Sequence, residues 1–366
     1  GNIIYLRGVN KPGFEDHHGG MWIAYDENGD KQGSAWAWSG YACKAHLDEM
    51  QKYGMNALRL VTAIDWWFLD GTWWTCSGQT QYVEYKQHLH DILTWASERG
   101  IYVIICPYQV VNWNTAYEEG WPTVREGLPY PPYSNEGADQ YIPNELAFVN
   151  YIVALASEYK GHENFILELW NEPHGSGEAK SSWYQVGQDC IDAVRNAGVD
   201  NLIIFQWDYG VDCNLLYRGG SFVDWVGDTD CPKGEDVVYS THCYRPYGGL
   251  GKVYDPATGQ FLHYGYTYEE VLDALTLELI DWVGDTLNKP LLIGEAGMSL
   301  SASDQAEERE GFTNAFSIWN DWGLGYLGWW WDTRGDRRFL STWPTYPDGV
   351  TLTAAGEIIT NAIGAS

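Results

Sequence analysis

Basic side chains are scarce in this chain. Lys and Arg number 21 against 50 Asp and Glu, a formal net charge of −29 over 366 residues. That field argues against nucleic acid or an anionic membrane surface as a partner and suits a neutral or cationic ligand better. Long apolar runs are missing too: no stretch is apolar over the ~20 residues that a membrane-spanning helix needs. The seven cysteines include no CxxC pair, which argues against zinc ribbons and thioredoxin-like chemistry. Cys43, Cys106, Cys190 and Cys243 fall in predicted helices or strands, where they are expected to pack as small hydrophobes. Cys213 and Cys231 share one loop region and are the pair available for a disulfide in an exported protein. There is no HExxH or similar ligand set, no low-complexity tract and no repeat module. Gly1 runs straight into strand-like "NIIYLRGVN" with no secretory leader in view, as expected where a leader has been removed.

What the chain has in abundance is aromatic. Phe, Trp and Tyr make up 16% of it, with 21 Trp and 26 Tyr. A core seldom needs so much Trp, because each buried indole N–H wants a partner. Flat rings with a polar edge suit the faces of sugars, which makes carbohydrate a natural ligand class.

Eight short apolar runs recur, each followed by a loop and a helical pattern. They are "IYLRGVN" from Ile4, "NALRLVT" from Asn56, "YVIICPYQ" from Tyr102 and "FILELWNEP" from Phe165. Then come "NLIIFQW" from Asn201, "VVYSTHCY" from Val237, "PLLIGEAG" from Pro290 and "YLGWWWD" from Tyr326. Between them, segments such as "YACKAHLDEMQKYG" carry apolar residues at three- and four-residue spacing, as a helix requires. Gly54, Gly100, Gly161 and Gly198 stand where left-handed helix caps are expected. Eight βα units predict an α/β fold, a single (β/α)8 TIM barrel spanning residues 1–366. Helix-to-strand connections are brief, whereas strand-to-helix loops are long and aromatic, so the chemistry is expected where the strands end. Trp36, Trp38, Trp66, Trp67, Trp73, Trp74, Trp113 and Trp121 all fall in those long loops. As a set they predict an extended cleft for a polymer, with half or fewer of them touching sugar.

The strand ends carry Asn10, Arg59, Tyr108 with Gln109, Asn171 with Glu172, Trp207, His242 with Tyr244, Glu295, and Trp329 to Trp331. Glu172 follows strand four and Glu295 strand seven, so a closed barrel sets them face to face across its mouth. Opposed carboxylates are what glycoside hydrolysis uses: one protonates the leaving oxygen and the other attacks or stabilises the anomeric carbon. Glu168 alternates onto the same face but lies ~7 Å deeper by strand rise, and is expected to partner a buried donor. His17 and His18 are adjacent in the first long loop. His88 and His90 are expected on one exposed helix, too poorly aligned for a shared metal. The acidic loops "DYGVDCN" and "DWVGDTDCPKGED" fit no EF-hand spacing and are read as solvated.

"WNEP" after strand four with "IGEAG" at strand seven resembles glycoside hydrolase family 5, the large cellulase family. "YLRGVNKPGFE", "NALRL", "THCY" and the Trp run extend the likeness over nearly the whole chain. The resemblance implies a retaining barrel enzyme without metal or cofactor, with Glu172 as acid/base and Glu295 as nucleophile. It implies further that Arg59 and Tyr244 bond the nucleophile and hold it ionised, that Asn171 bonds the sugar 2-hydroxyl, and that His242 sits near the acid/base. Trp329 or Trp331, sharing a face by strand alternation, would stack under the reacting sugar. The family's usual His near the end of strand three is missing, and Tyr108 or Gln109 is expected in its place. The implied substrate is a neutral β-1,4-linked polysaccharide, cellulose-type β-glucan first and β-mannan second. Export follows from such a substrate, and a monomer is expected; a binding-only barrel is the alternative from another class.

Overall fold

The computed structural model describes residues 4–15, 20–34, 37–76, 79–109, 145–172, 178–206, 232–244, 252–254, 261–275, 290–301 and 305–364. Eight parallel strands close into a barrel: β1 (Arg7–Phe14), β2 (Ala57–Ala63), β3 (Tyr102–Gln109), β4 (Phe165–Glu168), β5 (Ile203–Gln206), β6 (Val237–Tyr244), β7 (Leu291–Gly297) and β8 (Gly325–Gly328). Each pairs with its sequence neighbours, and β8 returns to β1 with Arg7 opposite Tyr326. This is the (β/α)8 barrel that the strand pattern predicts. Its strands are apolar because both faces are covered; all seven residues of β2 are buried.

Helices α1 (Gly40–Lys52), α2 (Tyr85–Ser97), α3 (Glu145–Tyr159) and α4 (Glu178–Asn196) follow the first four strands. Ser39 caps α1, its hydroxyl accepting the Ala42 N–H at 3.2 Å. Gly54, Gly100 and Gly198 take φ of 76°, 69° and 70° where helices end, as expected. Gly161 does not belong with them: it is absent from the positive-φ glycines, and the chain leaves α3 through an ordinary turn.

Inside the barrel the side chains sort by height. Near the lower, N-terminal end, Ala57, Ile104, Ile166, Ile204, Leu292 and Leu327 form one apolar cluster. Two residues further along the same strands come Arg59, Cys106, Glu168 and Gln206, all buried. Strand alternation keeps them on the inward face, so the polar layer rests directly on the apolar one. A cavity of about 750 Å³ opens at the lower end, lined chiefly by apolar residues such as Leu6, Phe165 and Leu202. The titratable cluster lies at the other end.

Candidate active site

Arg59, in the middle of β2, organises the upper barrel. Its Nε and Nη2 bond the two oxygens of Glu168 at 2.5 and 3.0 Å, its Nη1 bonds Glu295 Oε1 at 2.7 Å and Asn10 Oδ1 at 2.9 Å, and Nη2 also reaches Asn171 Oδ1 at 2.8 Å. The guanidinium is fully buried, and carboxylates on two sides keep it charged. Burying such a charge is tolerable only because every face is bonded; removing a partner from a buried pair costs ~3–5 kcal/mol. Glu168, fully buried, serves as that structural partner.

Glu295 sits on β7. The register between β6 and β7 shifts after Thr241, which brings His242 opposite Glu295. Glu295 Oε1 accepts Arg59, and Oε2 accepts the Tyr244 hydroxyl in a very short bond. His242 Nδ1 lies 2.8 Å from Glu172 Oε1 and 3.4 Å from Glu295 Oε2. Glu172, His242 and Glu295 each contribute one atom to a set lying within 4.8 Å of one another, so the two carboxylates stand a single reacting centre apart. Their surroundings differ: the Glu172 side chain keeps 17% of its surface exposed, Glu295 only 4%.

Electrostatics qualify one expectation. Burial pushes the Glu295 carboxyl above its ordinary value; His242, Arg59 and the Tyr244 hydroxyl pull it down without cancelling that rise, and Glu172 adds to it. Arg59 and Tyr244 therefore aim Glu295 and temper its pKa rather than depress it. Burial draws the His242 imidazole down to about 4, so the ring between the carboxylates is neutral near pH 7. A cation could use the same three atoms, yet both Glu295 oxygens already have donors on the protein.

Of the other predicted residues, Asn171 is buried with its carbonyl held by Arg59. Tyr108 is half-buried near the end of β3; the side chain of Gln109 lies outside the described residues. Trp329 is half-buried at the rim, its main-chain N–H donating to the Ala296 carbonyl at 2.7 Å. Trp331 belongs elsewhere. It is fully buried, and its indole N–H donates to His46 Nδ1 at 3.0 Å, so it offers no face to a ligand. The expected shared face fails because β8 ends at Gly328, and the two-residue alternation does not extend through Trp331.

His88 is corrected too: it is buried and stacks under Trp38 at 4.2 Å rather than standing exposed. His90 bonds Glu158 and His162 instead. Among the loop tryptophans, Trp66, Trp67 and Trp74 are buried, while Trp73 is 71% exposed. His17, His18, Trp36, Trp113, Trp121, Trp207, Cys213, Cys231, the first acidic loop and residues 224–231 of the second lie outside the described residues.

Two contributors, Gln206 and Gly294, escaped sequence reasoning, and Asn10, named there only as a strand-end residue, gains a role. Asn10 ties β1 to the site by donating to the Gly294 and Gly328 carbonyls while accepting Arg59. Gln206 accepts the Glu172 amide N–H at 2.8 Å. Gly294 leaves room for His242, because a Cβ there would meet Ser240 Oγ at 2.5 Å and His242 Nε2 at 3.2 Å. Their signal was position alone: each lies on the inward face of a barrel strand.

Known proteins resemble this chain at a distance. The chain is 24% identical over 218 residues to mannan endo-1,4-beta-mannosidase of Cellvibrio japonicus (strain Ueda107), covering 58% of this chain and 42% of that one. It is 22% identical over 255 residues to endoglucanase A of Ruminococcus albus, covering 68% and 63%. The match thus spans less than two thirds of either relative. Among solved structures, the catalytic domain of the major endoglucanase from Xanthomonas campestris pv. campestris superimposes with a TM-score of 0.65 at 17% identity, covering 100% of this chain and 96% of that one, a likeness of fold. The family model described as Cellulase (glycosyl hydrolase family 5) matches residues 21–335, and the chain belongs to that family.

Proposed function

We propose that the protein is an endo-acting glycoside hydrolase that cleaves internal β-1,4 linkages of a neutral polysaccharide with retention. One observation carries the reading: Glu172 and Glu295 lie either side of His242 Nδ1, within a 4.8 Å cluster. Retaining enzymes need their carboxyl groups ~5–5.5 Å apart, whereas inverting ones leave ~6.5–9.5 Å for a water.

Glu295, aimed by Arg59 and Tyr244, attacks the anomeric carbon while protonated Glu172 gives its proton to the departing glycosidic oxygen. The glycosyl–Glu295 ester is then attacked by water, whose proton Glu172 takes, and the sugar leaves with its original configuration. The greater exposure of Glu172 suits this second step, which needs water at its carboxylate. Asn171, its carbonyl held by Arg59, has its amide NH2 to offer the sugar 2-hydroxyl. Trp329 supplies a flat face at the rim.

β-Glucan of the cellulose type is the first substrate and β-mannan the second; the relatives named above include an enzyme of each kind. Export accompanies this reading, since a polymer is met outside the cell, and the protein is taken to act as a monomer. The deciding experiment pairs a reducing-end assay on soluble polysaccharides with Glu295→Ala. The variant should lose activity and regain turnover of an activated aryl glycoside with added azide, giving a glycosyl azide of inverted configuration. Ordinary activity in Glu295→Ala would overturn the assignment. Sugar binding without product in the unaltered protein would favour a glycan-binding barrel instead.

A further inference from the structure

Glu172 has an unusual backbone. Its φ is +49°, and among the described residues only Asp236 shares a positive φ without being glycine. Left-handed geometry costs an L-residue ~1–2 kcal/mol, so something must hold it there. The Glu172 amide, turned away from a strand partner, donates to Gln206 Oε1 at 2.8 Å. Gln206 closes β5 and is itself 1% exposed. Its main-chain carbonyl accepts the Trp183 indole N–H at 3.0 Å, and the Trp183 ring stacks on Phe205 at 5.4 Å with the planes 16° apart. Strand and helix therefore fix Gln206 before it meets Glu172.

We propose that Gln206 is a positioning residue for the acid/base: its side-chain carbonyl holds the Glu172 amide in the left-handed conformation that directs the carboxyl towards His242 and Glu295. The inference rests on Glu172 being the acid/base and goes beyond it by naming what aims that group. Without the acceptor, the partly buried N–H loses that partner and the peptide is free to turn, carrying the carboxyl away from the leaving oxygen. A misplacement of ~1 Å costs about 100-fold in rate.

The test uses aryl β-glycosides of the disaccharide unit identified by the polysaccharide panel, one with a 2,4-dinitrophenyl and one with a phenyl leaving group. The first departs unaided and the second needs a proton, so a misplaced acid selectively slows the second. In Gln206→Met, kcat/KM for the phenyl glycoside should fall about 10- to 100-fold. For the dinitrophenyl glycoside kcat/KM should stay within about twofold, and azide should raise kcat by taking over the second step from water. The ratio of the two kcat/KM values does not depend on the folded fraction of the preparation. Gln206→Asn, which withdraws the acceptor by one carbon–carbon bond, serves if the Met variant accumulates poorly, and should shift the ratio in the same direction. Equal losses on both glycosides, or no loss, would overturn the proposal. Glu172→Ala is measured alongside: if it shows the leaving-group signature and the Gln206 variants do not, only the role of Gln206 fails. If Glu172→Ala lacks the signature, the acid/base assignment fails first.

Discussion

At the scale of single residues, charge and burial divide the labour. Glu295 has its pKa raised in the fold, so the folded state binds its proton more tightly than the unfolded chain does. Acidification through that value therefore adds stability from this group while neutralising the carboxylate proposed as nucleophile. The acid limb of kcat/KM against pH should have its midpoint above the 4.5 of an ordinary glutamate, with the protein still folded there by circular dichroism. His242, held at about 4, charges only below that limb. A midpoint at or under 4.5 would contradict the assignment of burial as the dominant influence. The two tryptophans near the end of the barrel separate in the same way. Trp331→Phe loses a buried hydrogen bond and should cost about 1–3 kcal/mol of unfolding free energy with KM nearly unchanged. Trp329→Ala should raise KM on polysaccharide, and the reverse pattern would restore Trp331 to the cleft. That Glu172, Glu295, Arg59, Tyr244 and His242 converge was legible in the sequence because chemistry and barrel-strand position coincide, although Arg59 stands in the middle of β2 rather than at its end. Trp331 was misread because its place depends on where β8 stops, which three consecutive tryptophans do not reveal.

At the scale of elements, the paired strands β6 and β7 set His242 opposite Glu295. Gly294 lies on β7, and a Cβ there would press on Ser240 Oγ and His242 Nε2, so one of them would have to shift. Gly294→Ala should reduce kcat about 10- to 100-fold through displacement of His242. Adding Ser240→Ala should recover part of the loss by removing the nearer obstacle. If the double variant is no better than Gly294→Ala in steady-state assays, crowding at this point does not control the site. The barrel itself was readable from eight apolar runs and the glycines after the helices. The register shift after Thr241 was not, since strands buried on both faces lack the alternation that a one-residue irregularity would disturb. Gly161 misled for a related reason: a glycine past a helix permits a left-handed cap without requiring one.

At the scale of the whole molecule, a net charge of −29 opposes compactness as well as aggregation. Raising NaCl from ~10 mM to ~1 M contracts the screening length from ~30 Å to ~3 Å. The melting temperature at neutral pH should therefore rise by a few degrees, as measured by calorimetry. A flat or falling melting temperature would show that local pairing outweighs the overall repulsion. The sequence foretold this charge without foretelling its distribution, because the placement of each acid depends on which face of each element meets solvent.

The apolar floor beneath Arg59 has one more effect. Ala57, Ile104, Ile166, Ile204, Leu292 and Leu327 have no side-chain group able to relay a hydrogen ion, so traffic with bulk water must pass through the open end of the barrel. A polymer threaded across that opening would stopper the route by which the acid is recharged. Each catalytic cycle would then wait for the leaving fragment to let solvent back in.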